Sequence, residues 1–436
     1  MEVFRRWRAV LALCLALVLV ACGQGTSEDE PATTGTEASS DGEVESGSIR
    51  ISWQGPQERH NVTNAALDIF KSKHPDIELE IEFSGEDSYW ERLATETAGG
   101  NMPDVHSQHV SYMSDYAARG ALYDMNQLGD VLDLSSIDDR LKDAGTFDGE
   151  LLGIPYGITA HSLFYDVEMI EQTGVEIPDF GYTWDEFEQL LTELVDKLPD
   201  GMYGSQDFSG HDSPLMQWAR GKGKLLYTSD GELGITADDF REWLEMWQRF
   251  RDQGLVPPAE VTAASNFSVE EAPISQGLAP IEYRAANQLQ AAATQLGKEL
   301  GLMAFPTSNG EPPMYAIATG YWSIAADTDN PQAAGVLVDF LLNDPEGAAE
   351  LRLDRGIPPS SAALESLDLE PAEQTMVDYV NRVIAEGTDL EKSRPAGSGE
   401  IEDILRRAAE GYALGSLTLD QAVDQFMAEA SEALAG

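Results

Sequence analysis

The residues of this chain that could do chemistry are mainly aromatic and planar polar side chains, placed after predicted strands, at one helix start and in loops. Tryptophan and tyrosine offer large apolar faces with a polar edge. Amide, carboxylate and guanidinium groups form paired hydrogen bonds, and those with a charged partner are the stronger ones. Together these groups suit noncovalent binding of a ligand. The candidates are Trp53, Gln54, Tyr89, Trp90, His106, Gln108, Tyr156, Asp207, Tyr283, Tyr321, Trp322 and Arg355.

His106 and His109 have the H-x-x-H spacing of some metal sites. On a strand or loop the two rings do not share a helix face, and no cysteine or third histidine lies near them in the sequence. We therefore expect no metal at this pair. Arg59 and His60 open a predicted helix, and a helix N-terminus favours anions. An acidic sugar such as a uronide could be held there, but a solvated helix start is the favoured interpretation of that second pair.

Sequence motifs of common enzyme classes are absent. The chain has no G-x-S-x-G elbow, no G-x-x-x-x-G-K-[ST] loop and no G-x-G-x-x-G that opens a helix. With 77 acidic residues, two carboxylates at the separation used by glycosidases could arise anywhere, so their presence is uninformative. We expect no catalytic residue and no cofactor.

The first 21 residues predict an export signal rather than a part of the fold. Arginines near the N-terminus precede an apolar stretch of 12 residues from Ala9 to Val20, whereas a membrane-spanning helix needs about 20. Leu19-Val20-Ala21-Cys22 then resembles a bacterial lipobox, so we expect Cys22 to be lipidated and to begin the mature chain. An ordinary signal peptide is the alternative. Cys14 would be discarded with the signal, which leaves one cysteine and no disulfide.

Residues 22–47 predict a disordered acidic tether, because they are rich in Ser, Thr, Gly, Glu and Asp. A tether behind a lipid anchor suits a protein that stands off a membrane. Over the whole chain, 27 basic and 77 acidic residues give a net charge of −50. Nucleic acid is excluded as a partner, since binding it needs a basic surface. The 436 residues are enough for two domains, at roughly 100–200 residues each.

The first elements that position the candidates alternate between strands and helices. Ile49 to Trp53 is a short strand, Glu58 to Lys73 a helix with one apolar face, and Ile77 to Phe83 a strand of alternating apolar and acidic residues. A helix from Tyr89 to Thr97 and a strand from Pro103 follow. This order predicts an α/β fold with a parallel sheet.

The middle of the chain predicts two buried strands and a well-defined helix start. The strands are Leu151 to Tyr156 and Leu163 to Tyr165. Thr183 and Glu186 form a capping box, which places a helix N-terminus at Thr183.

Later helix starts are marked by Asn330 before Pro331 and by Asp344 before Pro345. Three further tryptophans lie at helical spacing with apolar neighbours, and we assign them to core packing. They are Trp184, Trp243 and Trp247.

Several motifs follow one another from Gly149 to Phe187: G-x-P-Y-G, LFYD-x-E-x-I-E-x-T-G and TW-x-EF. Before them stand F-x-x-x-HP-x-I and L-x-T-x-x-A-G-G-N-x-PDV, and after them NP-x-A-A and D-P-E. In this order and spacing they resemble the extracellular solute-binding proteins of bacterial ABC transporters, in the large sugar-binding family that includes maltose-binding-protein-like members (family 1). The resemblance covers roughly Ile49 to the C-terminus.

The resemblance implies a two-lobed periplasmic-binding-protein fold of type II, in which each lobe is a mixed sheet flanked by helices and a hinge joins the lobes. Residues 48–158 and 316–356 would form lobe 1, and residues 159–315 and 357–436 would form lobe 2.

The resemblance also places a sugar in the cleft between the lobes and favours four of the candidates as its contacts, Trp53, Tyr156, Tyr283 and Trp322. Glu282-Tyr283-Arg284 departs from the Gly-x-Trp that is usual in the family, which leaves that contact open.

As a function, the resemblance implies a monomeric receptor, anchored to the membrane by its lipid, that gives a carbohydrate to the permease subunits of an ABC importer. Its location would be the extracellular face of the cytoplasmic membrane, or the periplasm. WQGPQERH and YWERLATETAGGNMPDV look closest to members that take oligosaccharides, some of them from pectin. The alternatives are a secreted glycoside-acting enzyme and a receptor for a polyol, glycerol phosphate or peptide.

Overall fold

The computed structural model describes residues 47–228, 230–265, 272–388, 390, 394–395 and 397–435. The predicted signal, the lipidation site at Cys22 and all but the last residue of the predicted tether lie outside the described residues. Within the described ranges, no helix has the length and apolar character needed to cross a membrane. The strands are β1 (Gly47–Gln54), β2 (Ile77–Ser84), β3 (Val105–Gln108), β4 (Thr146–Phe147), β5 (Glu150–Leu151), β6 (Ile154–Asp166), β7 (Ile281–Ala285), β8 (Leu300–Met303) and β9 (Ala316–Ile324).

Helices accompany these strands along the chain, which confirms the α/β class. They are α1 (Gln57–Lys73), α2 (Glu86–Ala98), α3 (Val110–Ala118), α4 (Asp139–Asp143), α5 (Val167–Thr173), α6 (Trp184–Lys197), α7 (Asp212–Gly221), α8 (Ala237–Asp252), α9 (Ala259–Ser265), α10 (Leu289–Leu296), α11 (Pro331–Asn343), α12 (Pro345–Leu351), α13 (Ser361–Glu365), α14 (Pro371–Glu386), α15 (Ile401–Ala413) and α16 (Leu419–Leu434).

The main sheet is mixed. Its strand order is β2-β1-β3-β9-β6-β7, and β8 also pairs with β6. β1 is parallel to β2 and to β3, as the alternation of strands and helices at the start of the chain predicted. β9 returns from much later in the sequence and is antiparallel to β3 and β6.

The prediction of two separate strands between Leu151 and Tyr165 was wrong, because β6 is one strand of 13 residues. Its first half, Ile154 to Ala160, pairs with β9, and its second half, from His161, pairs with β7 and β8. Pro155 lacks an N–H group, and the register shifts directly after it, where a bulge tolerates the missing donor. The two halves of β6 therefore pair with different strands.

The predicted capping box is confirmed, because the Glu186 N–H donates to Thr183 Oγ1 at 3.2 Å and the Thr183 N–H donates to Glu186 Oε2 at 2.6 Å. Asp344 also caps its helix as predicted. Asn330 precedes α11 but does not cap it, and its amide instead donates to the Ser48 carbonyl oxygen at 3.3 Å.

The three tryptophans assigned to packing lie in the core, which confirms that assignment. Trp184 and Trp243 meet edge to face at 6.0 Å between ring centres, and Trp243 and Trp247 at 5.5 Å.

Candidate ligand-binding site

Three chain segments run side by side where β6 changes partners, and we call this place the crossing. Ile158 of β6 exchanges two backbone hydrogen bonds of 2.8 Å with Ile357. From β9, the Thr319 hydroxyl donates to the Arg355 carbonyl oxygen. Gly356 has φ +102° and no room for a side chain, since a Cβ would lie 2.5 Å from the Ile158 carbonyl oxygen. The close-packed backbone fixes the direction of the side chains around it.

Beside the crossing, three predicted site residues meet: Tyr156, Trp322 and Arg355. The two rings lie 5.2 Å apart, and the guanidinium carbon lies 5.2 Å from the tyrosine centre and 5.4 Å from the indole centre. Arg355 Nη2 donates to Thr63 Oγ1 at 3.0 Å, and the Tyr156 hydroxyl lies 3.2 Å from Ser107 Oγ. Burial lowers the pKa of Arg355 to about 10. The cluster is largely enclosed, with each of its three members at most 9% exposed.

Three other predicted site residues, Trp53, Gln54 and Tyr89, are buried near the carboxyl end of β1. Trp53 Nε1 donates to His60 Nδ1 at 3.1 Å, and the Tyr89 hydroxyl donates to the Ser107 carbonyl oxygen at 2.6 Å. Burial raises the pKa of Tyr89 well above its ordinary value. Because their polar atoms are satisfied within the protein, contact of Trp53 and Tyr89 with a ligand stays a prediction.

An aromatic group more open to solvent surrounds the start of α3. Trp90 packs against Tyr112 with ring centres 4.6 Å apart, and the His109 ring lies 6.5 Å from Trp90. Tyr112 is 39% exposed. Sequence reasoning missed Tyr112, although its position in the first turn of the helix after β3 could have indicated it.

His106 and Gln108 are fully buried on β3, where Gln108 stands opposite Tyr321 of β9. His106 Nδ1 lies 3.1 Å from the Pro103 carbonyl oxygen, and burial lowers the pKa of His106 to about 4. Neither amide atom of Gln108 has a hydrogen-bond partner among the described residues. Tyr321, also a predicted site residue, is 1% exposed.

The H-x-x-H pair is used within the protein. The His109 ring accepts a hydrogen bond from the Ser111 N–H at 3.3 Å, which caps α3. In the described parts of the chain, no three His, Cys, Asp or Glu side chains are grouped so that they could hold a metal ion.

A second polar and aromatic cluster lies beyond the crossing, on the second half of β6 and on β7. The Tyr283 hydroxyl lies 2.9 Å from His161 Nδ1, and the His211 ring centre lies 5.1 Å from that of Tyr283. Burial lowers the pKa of His161 to about 4 and raises that of Tyr283. Sequence reasoning found Tyr283 but missed both histidines, because His161 stands within an apolar strand and His211 in a loop. We call His161, His211 and Tyr283 the histidine–tyrosine cluster.

The guanidinium of Arg394 interacts electrostatically with both the end of β3 and the start of α7. Arg394 Nη1 donates to Asp212 Oδ2 at 3.0 Å, at the first residue of α7. Burial lowers the pKa of His109, Glu86 opposes that shift, and the positive charge of Arg394 adds to it. The end of β3 and the start of α7 therefore lie within electrostatic reach of the same side chain.

Asp207, another predicted site residue, lies in an internal ion pair. Its Oδ2 accepts from Arg251 Nε at 2.7 Å, and its Oδ1 accepts from the Ser209 N–H at 2.9 Å. It is 1% exposed. Both carboxylate oxygens are thus used to fix this loop, and a ligand contact by Asp207 stays a prediction.

A family model for the bacterial extracellular solute-binding proteins matches residues 65–374. The chain therefore belongs to this family, which consists of binding proteins rather than enzymes. Among curated relatives, a lactose-binding protein of Rhizobium radiobacter is 24% identical over 232 residues. That match covers 51% of this chain, and the chain spans about half the length of that relative, 53%.

Solved structures have the same fold. An extracellular solute-binding protein, family 1, of Alicyclobacillus acidocaldarius matches with a TM-score of 0.80 and 28% identity over 89% of this chain and 98% of that one. A periplasmic oligogalacturonide-binding protein of Yersinia enterocolitica matches with a TM-score of 0.76 and 24% identity over 89% of this chain and 99% of that one. These similarities confirm the predicted periplasmic-binding-protein fold class.

Proposed function

We propose that this chain is an extracellular receptor that captures a sugar or oligosaccharide and delivers it, chemically unchanged, to an ABC importer. The observation that carries the proposal is the pair of aromatic and polar clusters on either side of the crossing, Tyr156 with Trp322 and Tyr283 with His161. A sugar has flat C–H faces and many hydroxyls, which match aromatic rings with polar edges. The sugars in the names of the two relatives, lactose and oligogalacturonide, agree with this choice of cargo.

The two lobes of the proposed receptor are residues 48–158 with 316–356 and residues 159–315 with 357–436. The change of strand partners along β6, after Ala160, supports a boundary close to this position. A ligand that contacts both lobes only when they are closed would favour the closed state, and closure would be a hinge motion.

The remaining parts of the proposal concern location and partners. A lipid on Cys22 would hold the receptor at the extracellular face of the cytoplasmic membrane, and residues 22–47 would let it reach the permease. The receptor would act as a monomer and catalyse no reaction. The permease and ATPase subunits would be separate chains.

A binding screen tests the cargo class. The purified chain is heated with lactose, maltotriose, digalacturonate, glycerol 3-phosphate or a tripeptide, and the melting temperature is recorded. We expect a saccharide to raise it and to be recovered intact by mass spectrometry. Cleavage of the saccharide would favour the glycoside-acting enzyme, and stabilisation by the phosphate or peptide alone would refute a sugar receptor.

A conservative substitution tests the site. Tyr283→Phe keeps the ring and removes the hydroxyl, so we expect about tenfold weaker binding in calorimetry, as for the loss of one hydrogen bond. Tyr182→Phe is the matched control, because that buried hydroxyl donates to the Ala304 carbonyl oxygen at 2.6 Å and lies outside both clusters. Wild-type affinity in Tyr283→Phe would remove this residue from the site.

A further inference from the structure

Two glutamines are buried although their amide groups have no hydrogen-bond partner in the parts of the chain that the structure describes. Gln108 ends β3 and Gln217 lies on α7, and each is 0% exposed. Among the residues that the structure describes, neither the amide oxygen nor the amide nitrogen of either glutamine has a partner. Buried polar groups without partners destabilise a fold, and native proteins contain few of them. Places where a sequence breaks such a rule are often functional sites.

Gln217 lies on a stripe of α7 whose other members interact with Tyr283 and Tyr315. It is four residues after Ser213 and three before Arg220, so the three share one stripe of the helix. Ser213 lies close enough to the Tyr283 side chain to lower its pKa against the effect of burial, and the Arg220 guanidinium lies 3.9 Å from the centre of the Tyr315 ring. The stripe that carries Gln217 therefore also carries interactions with β7 and with Tyr315, the residue before β9.

Gln108 lies at the carboxyl end of β3, where it faces Tyr321 in the ladder with β9. The next residue, His109, responds to the charge of Arg394, and Arg394 pairs with Asp212 at the start of α7. The strand end that carries Gln108 and the helix that carries Gln217 are thus connected through one guanidinium.

The chemistry of an amide defines what it can recognise. It carries a donor and an acceptor and no charge, which complements a hydroxyl, because a hydroxyl also donates and accepts. An ionised carboxylate only accepts, so it would leave an amide oxygen without a donor.

The charged groups that act on His109 and on Tyr283 disfavour an anion beside these two residues. Burial keeps His109 and His161 neutral at pH 7 by lowering the pKa of each. Among the described residues, the charged groups that act on His109 and on Tyr283 are three carboxylates and one guanidinium, namely Glu86, Asp212, Glu402 and Arg394. A further negative charge beside His109 or Tyr283 would be repelled by these carboxylates, whereas Arg220 and Arg355 place positive charge beside Tyr315 and Tyr156.

We infer that Gln108 and Gln217 hydrogen-bond the hydroxyls of the cargo, and that the cargo is an uncharged saccharide rather than a uronide. This inference rests on the proposed sugar receptor. It gives Gln217 a binding role and makes the two amides the groups that determine specificity.

The test uses Gln108→Met and Gln217→Met, which keep the length of the side chain and remove the amide. Calorimetry is run with lactose, maltotriose, cellotriose and digalacturonate. We expect the wild type to bind one neutral saccharide at least about tenfold more tightly than digalacturonate, and each variant to bind that saccharide about tenfold or more weakly than wild type. The midpoint of urea unfolding should stay the same or rise in both variants, because a buried group without partners has been removed.

Gln206→Met is the control for stability. The Gln206 side-chain oxygen accepts from the Tyr283 N–H at 3.1 Å, so its loss should lower the urea midpoint. Wild-type saccharide affinity in both test variants, or tighter binding of digalacturonate than of any neutral saccharide, would overturn the inference and leave the receptor function standing. Binding of none of the four saccharides would overturn the receptor function and the inference together.

Discussion

His106 should make the folded state sensitive to acid, and two substitutions can isolate its contribution. It is fully buried, and burial holds its pKa at about 4, below the ordinary 6.5. His106→Asn and His106→Gln both remove the titrating ring. Asparagine can also place an amide nitrogen where Nδ1 faces the Pro103 carbonyl oxygen.

The direction and size of the pH effect on stability follow from the pKa of His106, which is about 4 in the folded chain and 6.5 in the unfolded chain. The unfolded chain binds a proton at a higher pH than the folded chain does, so the stability is complete above pH 6.5 and is lost as the pH falls through 4. Relative to pH 7 or above, the wild type should lose about 2 kcal/mol at pH 5 and about 3 kcal/mol at pH 4 from this residue.

The assay is urea unfolding of the three proteins between pH 7.5 and pH 4. Titration of the many surface carboxylates is common to all three and cancels in the difference from wild type. We expect the difference to change with pH by the amounts above and by equal amounts in both variants, although the two differ in the constant cost of the cavity. Parallel curves for wild type and variants would refute a buried neutral histidine.

Three further predictions concern the surface, the crossing and a buried acid. Raising NaCl from about 0.1 M to about 1 M shortens the Debye length from about 10 Å to about 3 Å. Calorimetry should then show a higher melting temperature, because the acidic groups behind the net charge of −50 repel one another less. A lower melting temperature would contradict this. Gly356→Ala should lower the free energy of unfolding by about 2 kcal/mol or more in urea melts, since alanine is strained at positive φ and its Cβ would meet the Ile158 carbonyl oxygen. An unchanged free energy of unfolding would show that the backbone at the crossing shifts to accept the methyl group. Burial raises the pKa of Glu282 to about 7 against the opposing charge of Arg284, so wild-type stability should fall relative to Glu282→Gln as the pH rises from 4.5 through 7, and a constant difference between the two would refute the shift.

The elements that sequence predicted well are those that local patterns define. The alternation of apolar and acidic residues in β2 and the Thr183–Glu186 capping box depend on neighbours only a few residues away, and the structure has both. β6 was divided wrongly because its continuity depends on pairing with β9, which begins at Ala316. The sequence close to Leu163 does not show this pairing with a strand that begins about 150 residues later.

The candidate site was predicted in part for the same reason. Residue type and position at strand ends pointed to Tyr156, Trp322 and Arg355, which the structure places together. His161 was missed, because a histidine in an apolar run gives no local signal of its partner Tyr283, more than a hundred residues later. Burial, which encloses Trp53 fully, is likewise a property of packing that the sequence does not display.

The outer edge of the sheet has a consequence for how copies of this chain meet. Among the described strands, β2 pairs on one side only, with β1. Glu78 and Glu80 alternate with apolar residues along it and are exposed. Two such edges brought together would set carboxylates against carboxylates, which opposes the strand addition that begins fibrils. At high concentration, copies of this protein should therefore not associate through the β2 edges of their sheets.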